Sequence, residues 1–256
     1  MGARQLEAKD CTFAYNNGVG AGAFHALIEG CIFENNQGDG LGLIFGTVKN
    51  CVFRYNGGYG LRFDPDPGVM NLSSSLFYGD IEGGILLREE AVATIDNCTF
   101  TRHTGRVAVL VTEAHDVLFR HCTVADNVVI GTGDDYPEGG AFAQGTPGRV
   151  ELQNCLVADN PTPESPNASG LIGNWFGGGG NVIGGPARLG VLRDNGGPLL
   201  SLLPLAGSPA IDAGVPSNGG ARCARSFASG GRRSRCRRNR SPLRVYRALR
   251  SFPLSG

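Results

Sequence analysis

Residues 51–58 read CVFRYNGG, and the same phrase stands at 11–18 (CTFAYNNG) and 31–38 (CIFENNQG). It returns as SLFYGDIE from Ser75, CTFTRHTG from Cys98, CTVADNVV from Cys122 and CLVADNPT from Cys155. The spacings between copies are 20, 20, 24, 23, 24 and 33 residues. Each copy opens on Cys or Ser and carries Phe or Val two positions on, with Asn five positions on in most of them. A unit this short cannot bury its own apolar face, so the copies must stack on one another. The repeat predicts an array rather than a globule.

After each turn Asn comes a glycine-bearing stretch with alternating apolar residues, as in Gly40-Leu41-Gly42-Leu43 and Gly60-Leu61-Arg62-Phe63. A third short apolar run precedes the next Cys, as in Ala93-Thr94-Ile95, with a bend expected near Asn97. Three short strands per 20–24 residues, parted by Asn and Gly turns, fit one rung of a parallel β-helix and not a helical repeat. Parallel crossovers are right-handed. The fold class is therefore all-β: a right-handed parallel β-helix, a solenoid of about seven coils and on the order of 30 Å long at ~4.8 Å per rung.

Stacking turns equivalent positions into columns. Cys11, Cys31, Cys51, Ser75, Cys98, Cys122 and Cys155 form one inward line, and Phe13, Phe33, Phe53, Phe77 and Phe100 form an aromatic one. Asn16, Asn36, Asn56, Asn127 and Asn160 line up at the turn, with Asp80 and His103 in the same slot. Asparagine suits that slot because its amide bonds its equivalents above and below and because it tolerates left-handed angles. The cysteines read as reduced core residues: stacked identical side chains are poorly set for disulfides, and no Cys-x-x-Cys or His spacing suits a metal.

Residues 1–220 carry all 23 acids against 12 bases, whereas the last 36 residues hold 11 arginines and no acid. No apolar run is long enough to span a bilayer, and the first ten residues do not read as a signal peptide. The abrupt start of the array predicts a fragment whose earlier coils and export signal lie upstream. Three regions are expected: β-helix repeats over 1–166, a terminal coil and loop-rich capping segment over 167–216 that shields the open edge of the last coil, and an arginine-rich tail over 217–256.

Residues 181–214, NVIGGPARLGVLRDNGGPLLSLLPLAGSPAIDAG, carry a resemblance beyond the repeat. Leu189-Gly190-x-Leu192, Asp194-Asn195-Gly196-Gly197-Pro198 and Ser208-Pro209-Ala210-Ile211-Asp212-Ala213-Gly214 resemble the choice-of-anchor Q type C-terminal segment of bacterial β-helix surface proteins. The resemblance implies a pectin-lyase-fold rod, extracellular or at the bacterial cell surface, of a group mostly without an established reaction. That group continues with Asp-x-Arg-Gly and a late Cys-Asp-x-Gly-Ala phrase, which this chain replaces with Ser217-Asn218-Gly219-Gly220 and the arginine tail. The tail reads either as an out-of-frame product of a GC-rich gene, disordered as such, or as a basic arm for anionic polymers. Nucleic acid is a partner only on the second reading.

Enzymes of the pectin-lyase fold use carboxylates, calcium and a basic residue on neighbouring rungs, so three places are candidates here. The position before the turn Asn runs Tyr15, Asn35, Tyr55, Gly79, Arg102, Asp126, Asp159, and it would align Arg102, Asp126 and Asp159 on the surface. Two carboxylates about 5 Å apart suit a retaining glycosidase or calcium; Asp-Asn is equally a favoured turn dipeptide. The long connection 131–148 offers Asp134 and Asp135, without the Gly-His-Gly and Arg-x-Lys phrases of polygalacturonases. Asp64 and Asp66, in Phe63-Asp64-Pro65-Asp66-Pro67-Gly68, are candidate calcium ligands, against a plain exposed-turn reading. Calcium is thus the one cofactor considered. Tyr15, Tyr55 and Tyr59 are candidate sugar-stacking residues. The leading expectation is a rod that presents a surface to polysaccharide or cell-surface glycan, with no catalysis assigned. The alternative is a polysaccharide lyase or glycosidase.

Overall fold

The computed structural model describes residues 3–64, 68–88, 90–105, 107–112, 116–128, 140–144, 149–161, 171–172 and 175–216. Met1–Val215 form one compact unit, and of the second, Pro216–Gly256, only Pro216 lies within the described residues. The arginine-rich tail therefore falls outside them. The first unit is a parallel β-helix built of two sheets. A short sheet stacks eight strands: Thr12–Ala14, Ile32–Glu34, Val52–Arg54, Leu76–Tyr78, Thr99–Thr101, Thr123–Ala125, Leu156–Ala158 and Val182–Ile183. The other sheet holds the remaining thirteen, and every strand pair in both sheets is parallel.

Three strands per rung hold only from the third rung on. Ala21–Glu29 and Leu41–Lys49 each run unbroken for nine residues, because Leu43-Ile44-Phe45-Gly46-Thr47 contains no turn strong enough to stop a strand. The next rung divides into Tyr59–Phe63 and Val69–Ser73, both paired to Leu41–Lys49, with the two prolines of 65–67 in the gap.

The core follows the columns. Phe13, Phe33, Phe53, Phe77 and Phe100 stack face to face at 4.9, 4.9, 4.5 and 4.7 Å, no pair tilted by more than 14°. Each such pair is worth ~0.5–1.5 kcal/mol beyond the area it buries. Val124 and Val157 continue the line. The cysteine column is buried and free except at Cys11, which is exposed on the first rung. Burial pushes the Cys51 thiol up to about 11 and raises Cys122 as well, so these sulfurs stay protonated and inert.

Two columns of left-handed residues turn the corners on either side of the short sheet. Asp10, Gly30, Asn50, Ser74, Asn97, His121 and Asn154 precede the cysteine slot; Tyr15, Asn35, Tyr55, Gly79, Arg102, Asp126 and Asp159 precede the asparagine slot. The left-handed angle expected of the turn asparagines is thus taken by the residue before each of them. That frees the asparagine side chain to turn inward. Asn36, Asn56, Asn127 and Asn160 are buried, and each amide serves its neighbours. Nδ2 of Asn16 donates to Oδ1 of Asn36 (2.7 Å), Asn36 to Asn56 (2.8 Å), Asn56 to Asp80 (2.8 Å) and Asn127 to Asn160 (2.8 Å). Glycine is required beside the ladder: a Cβ on Gly60 would lie 2.7 Å from Asp80 Oδ2 and 2.9 Å from the Gly84 carbonyl.

Within the segment expected to supply a terminal coil and cap, the described residues do two things. Gly180, left-handed, and Asn181 begin one more rung, in which Asn181 Oδ1 accepts the Cys155 N–H at 2.8 Å in the cysteine slot. Beyond it the chain folds back along the outside of the short sheet, where Ala187, Leu189 and Ala210 pack on the outward-facing Leu156 and Ala158. Asn154 clamps Val215 with two hydrogen bonds of 2.7 and 3.0 Å. The outward face of the last rungs is apolar, so burying it is the stronger demand.

The ladder has one irregular stretch. Asp80 Oδ1 accepts from the Asn56 N–H (2.9 Å) and amide, but its Oδ2 is buried without a hydrogen bond; His103 Nδ1 accepts the Asp80 N–H (3.1 Å) and its Nε2 is likewise orphaned. Burial raises the Asp80 carboxyl well above the usual range and holds His103 down to about 4. For Asp80, a folded pKa above the unfolded one means stability lost as pH rises through the folded value; for His103, stability is lost as pH falls from about 6.5 toward 4. Asp80→Asn restores the amide donor that the asparagine rungs carry. It should raise stability by ~1–3 kcal/mol at pH 7.5, with a smaller gain near pH 4, as thermal melts at the two pH values will show.

Candidate functional site

Tyr15, Tyr55, Arg102 and Asp126 are exposed, so the column before the turn asparagines lies along the surface. Arg102, Asp126 and Asp159 stack in direct register there: the Arg102 N–H donates to the Asp126 carbonyl at 3.1 Å and the Asp126 N–H to that of Asp159 at 3.0 Å. Partial burial, and then the neighbouring Asp159, raise the Asp126 carboxyl, while Arg102 opposes the shift. Asp159 is occupied otherwise, since its Oδ2 accepts the Ala187 N–H at 2.9 Å and ties the folded-back segment to the rung.

Next to this column runs a second outward one, Ala14, Glu34, Arg54, Tyr78, Thr101. The two meet in a cluster around Tyr78, a residue the sequence reading passed over because it sits in the weakest copy of the repeat. Tyr55 meets Tyr78 edge to face at 5.0 Å. Arg102 lies over the Tyr78 ring at 5.6 Å and its Nη1 donates to the Tyr78 hydroxyl at 3.3 Å. Gly79 makes room for the pair, because a Cβ there would stand 3.0 Å from the Tyr55 ring. Arg54 is held by Glu34 at 2.6 Å. Tyr55 is 48% exposed, and Tyr15, two rungs away on the same column, is 76% exposed. A sugar-stacking candidate (Tyr55) and a catalytic candidate (Arg102) thus share one surface.

Tyr59 does not join them. It is 5% exposed on the other sheet, packed with Leu86, Val107, Leu110 and Ala143, so its ring is not offered to a ligand. Strand alternation alone could not reveal this, since the outward side of those rungs is itself covered. Asp64 faces Arg88 at 3.9 Å, while Asp66, Asp134 and Asp135 lie outside the described residues.

A trough of about 680 Å³ on the larger sheet escaped the sequence reading altogether. Gly22 and Gly42 form its floor, with Arg4, Phe24, Ile44, Arg62 and Asp64 around it. The available signal was glycine at an outward strand position, flanked by inward Leu41 and Leu43, where no turn calls for it.

The sequence matches the model of a protein family described as right handed beta helix region over residues 1–185. No curated protein matches it. Among solved structures it is similar to the crystal structure of pectate lyase Pel9A, with 14% identity and a TM-score of 0.47 over 56% of this chain; the chain spans 40% of that enzyme's length.

The Tyr78 hydroxyl is lowered by its neighbour Tyr55 first and Arg102 second, and Tyr55 is raised by the same pairing. In an NMR titration of ring-labelled tyrosines Tyr78 should ionise before Tyr55. Arg102→Gln should move Tyr78 upward, and unchanged order and midpoints would refute the contact. Eight stacked parallel strands and a family match over most of its length place this chain in the right handed beta helix region family.

Proposed function

We propose that this chain is a β-helical rod, extracellular or attached to the bacterial envelope, that binds polysaccharide along the outer face of its short sheet. The observation that carries this reading is the Tyr55, Tyr78 and Arg102 cluster, with Tyr15 in line two rungs, or ~10 Å, away. Tyrosine rings held at fixed intervals along a rod suit a chain of sugar rings, each offering a C–H face to an aromatic one and hydroxyls to a phenol or guanidinium. The choice-of-anchor Q resemblance of 181–214 supports an envelope location. In the alternative, enzymatic reading, Arg102, Asp126 and Asp159 carry the chemistry; calcium, and Asp64, Asp66, Asp134 and Asp135, stay attached to that reading. Binding is favoured over catalysis because Asp159 Oδ2 is already engaged by the Ala187 N–H.

A glycan array followed by calorimetry on the best binder tests this. Tyr55→Ala and Tyr78→Ala should each weaken binding about three- to tenfold, in line with ~0.5–1.5 kcal/mol per aromatic contact, while leaving the melting temperature nearly unchanged. Retention of no glycan would defeat the proposal. Depolymerisation of a pectin, alginate or glycosaminoglycan panel that disappears in Asp126→Ala would replace it with the enzymatic one.

A further inference from the structure

The trough on the larger sheet lies between two outward columns. One is Gly22, Gly42, Arg62, Leu86, Leu110, Ala143. The other begins with Arg4, which faces Phe24 in the register of Ala3–Lys9 on Ala21–Glu29, and continues through Ile44 to Asp64. From Leu86 onward the first column is buried among Tyr59, Val107, Leu110 and Ala143, which confines the trough to the early rungs.

Nothing in the fold asks for glycine on its floor. Neither Gly22 nor Gly42 is left-handed, and a Cβ on Gly42 would meet nothing within 4 Å. The space is therefore open to a ligand rather than filled by a neighbour, in contrast to the crowded Gly60. One wall is apolar: Phe24 is 53% exposed and braced edge to face on Phe45 at 4.9 Å, with Ile44 beside it. The charges differ in how far they are answered. Arg62 is held by Asp39 at 2.6 Å, and Asp64 faces Arg88 at 3.9 Å. Among the described residues Arg4 has no ion-pair partner, and it stands at one end of the trough.

We infer that this trough is a binding site for an amphipathic carboxylate, whose apolar body lies on the Gly22 and Gly42 floor against Phe24 and Ile44 and whose carboxylate meets Arg4. The assignment is independent of glycan binding on the short sheet. A sugar would need several uncommitted polar side chains to answer its hydroxyls, and the trough offers one cation. Arg4 spans to Asp64 over three rungs, ~14 Å, and the volume lies within the ~300–1,000 Å³ range of small-molecule sites. An acyl chain of about ten carbons fits that length.

Calorimetry on the full chain with decanoate, below its micelle concentration, tests the site against decanol and trigalacturonate. Decanoate should bind with one equivalent per chain and at least tenfold more tightly than decanol. Arg4→Gln should bring decanoate down to the decanol level. Gly42→Val should abolish binding while leaving the melting temperature unchanged or higher, since its side chain enters the trough and not the core. Tyr55→Ala should bind decanoate like the parent. Equal affinity for decanoate and decanol, full binding by Gly42→Val, or tighter binding of trigalacturonate that Gly42→Val removes would each overturn the assignment, the last by making the trough a sugar site.

Discussion

Parallel in-register stacking sets each side chain beside its own equivalent about 4.8 Å away, and the rest of this molecule follows from that constraint. A residue type is acceptable only if it packs well against itself. Phenylalanine does so face to face, and asparagine does so because its amide is donor and acceptor at once. Cysteine does so as a small side chain whose S–H turns back to the carbonyl two residues earlier, as at Cys51 and Cys122. Where one member departs, its neighbours register it. Asp80 in the amide line accepts from Asn56 on one oxygen, and its other oxygen is buried without a hydrogen bond.

The same constraint explains what could be read from the sequence. Self-stacking columns repeat with the period of the chain, so the cysteine, phenylalanine and asparagine lines were legible, including Asp80 and His103 in the amide slot. Features that depend on a difference between rungs were not. The unbroken strands at Ala21–Glu29 and Leu41–Lys49 arise because two rungs lack a turn that later ones possess. The left-handed angle sits one residue ahead of the asparagine, and residues as unlike as Tyr15, Gly79 and Arg102 adopt it, so composition there carries no signature. Tyr59 looked exposed because alternation reports which side of a strand a residue faces, not whether that side is covered.

Outward positions escape the self-stacking rule, and there the rungs diverge. On the short sheet the outer column passes from charged (Glu34, Arg54) through aromatic (Tyr78) to small and apolar (Ala125, Ala158), and the folded-back segment packs where it is apolar. On the larger sheet the order is glycine, arginine, leucine, alanine, and only the leading glycines leave a trough. Both gradients run the same way: the early rungs keep their outer faces open and the late rungs cover theirs.

That polarity bears on which residues can act on a ligand. At the late end Asp159 fastens the returning segment through the Ala187 N–H, whereas Asp126 remains exposed. Arg102 stands at the boundary and turns toward Tyr78, not toward the carboxylates behind it. The column that looked like one acidic site in sequence is thereby divided: Asp159 is committed to the returning segment while Asp126 stays exposed beside it, and on the proposed reading the early members, Tyr15, Tyr55 and Arg102, are the ones a polymer lying along the rod would touch.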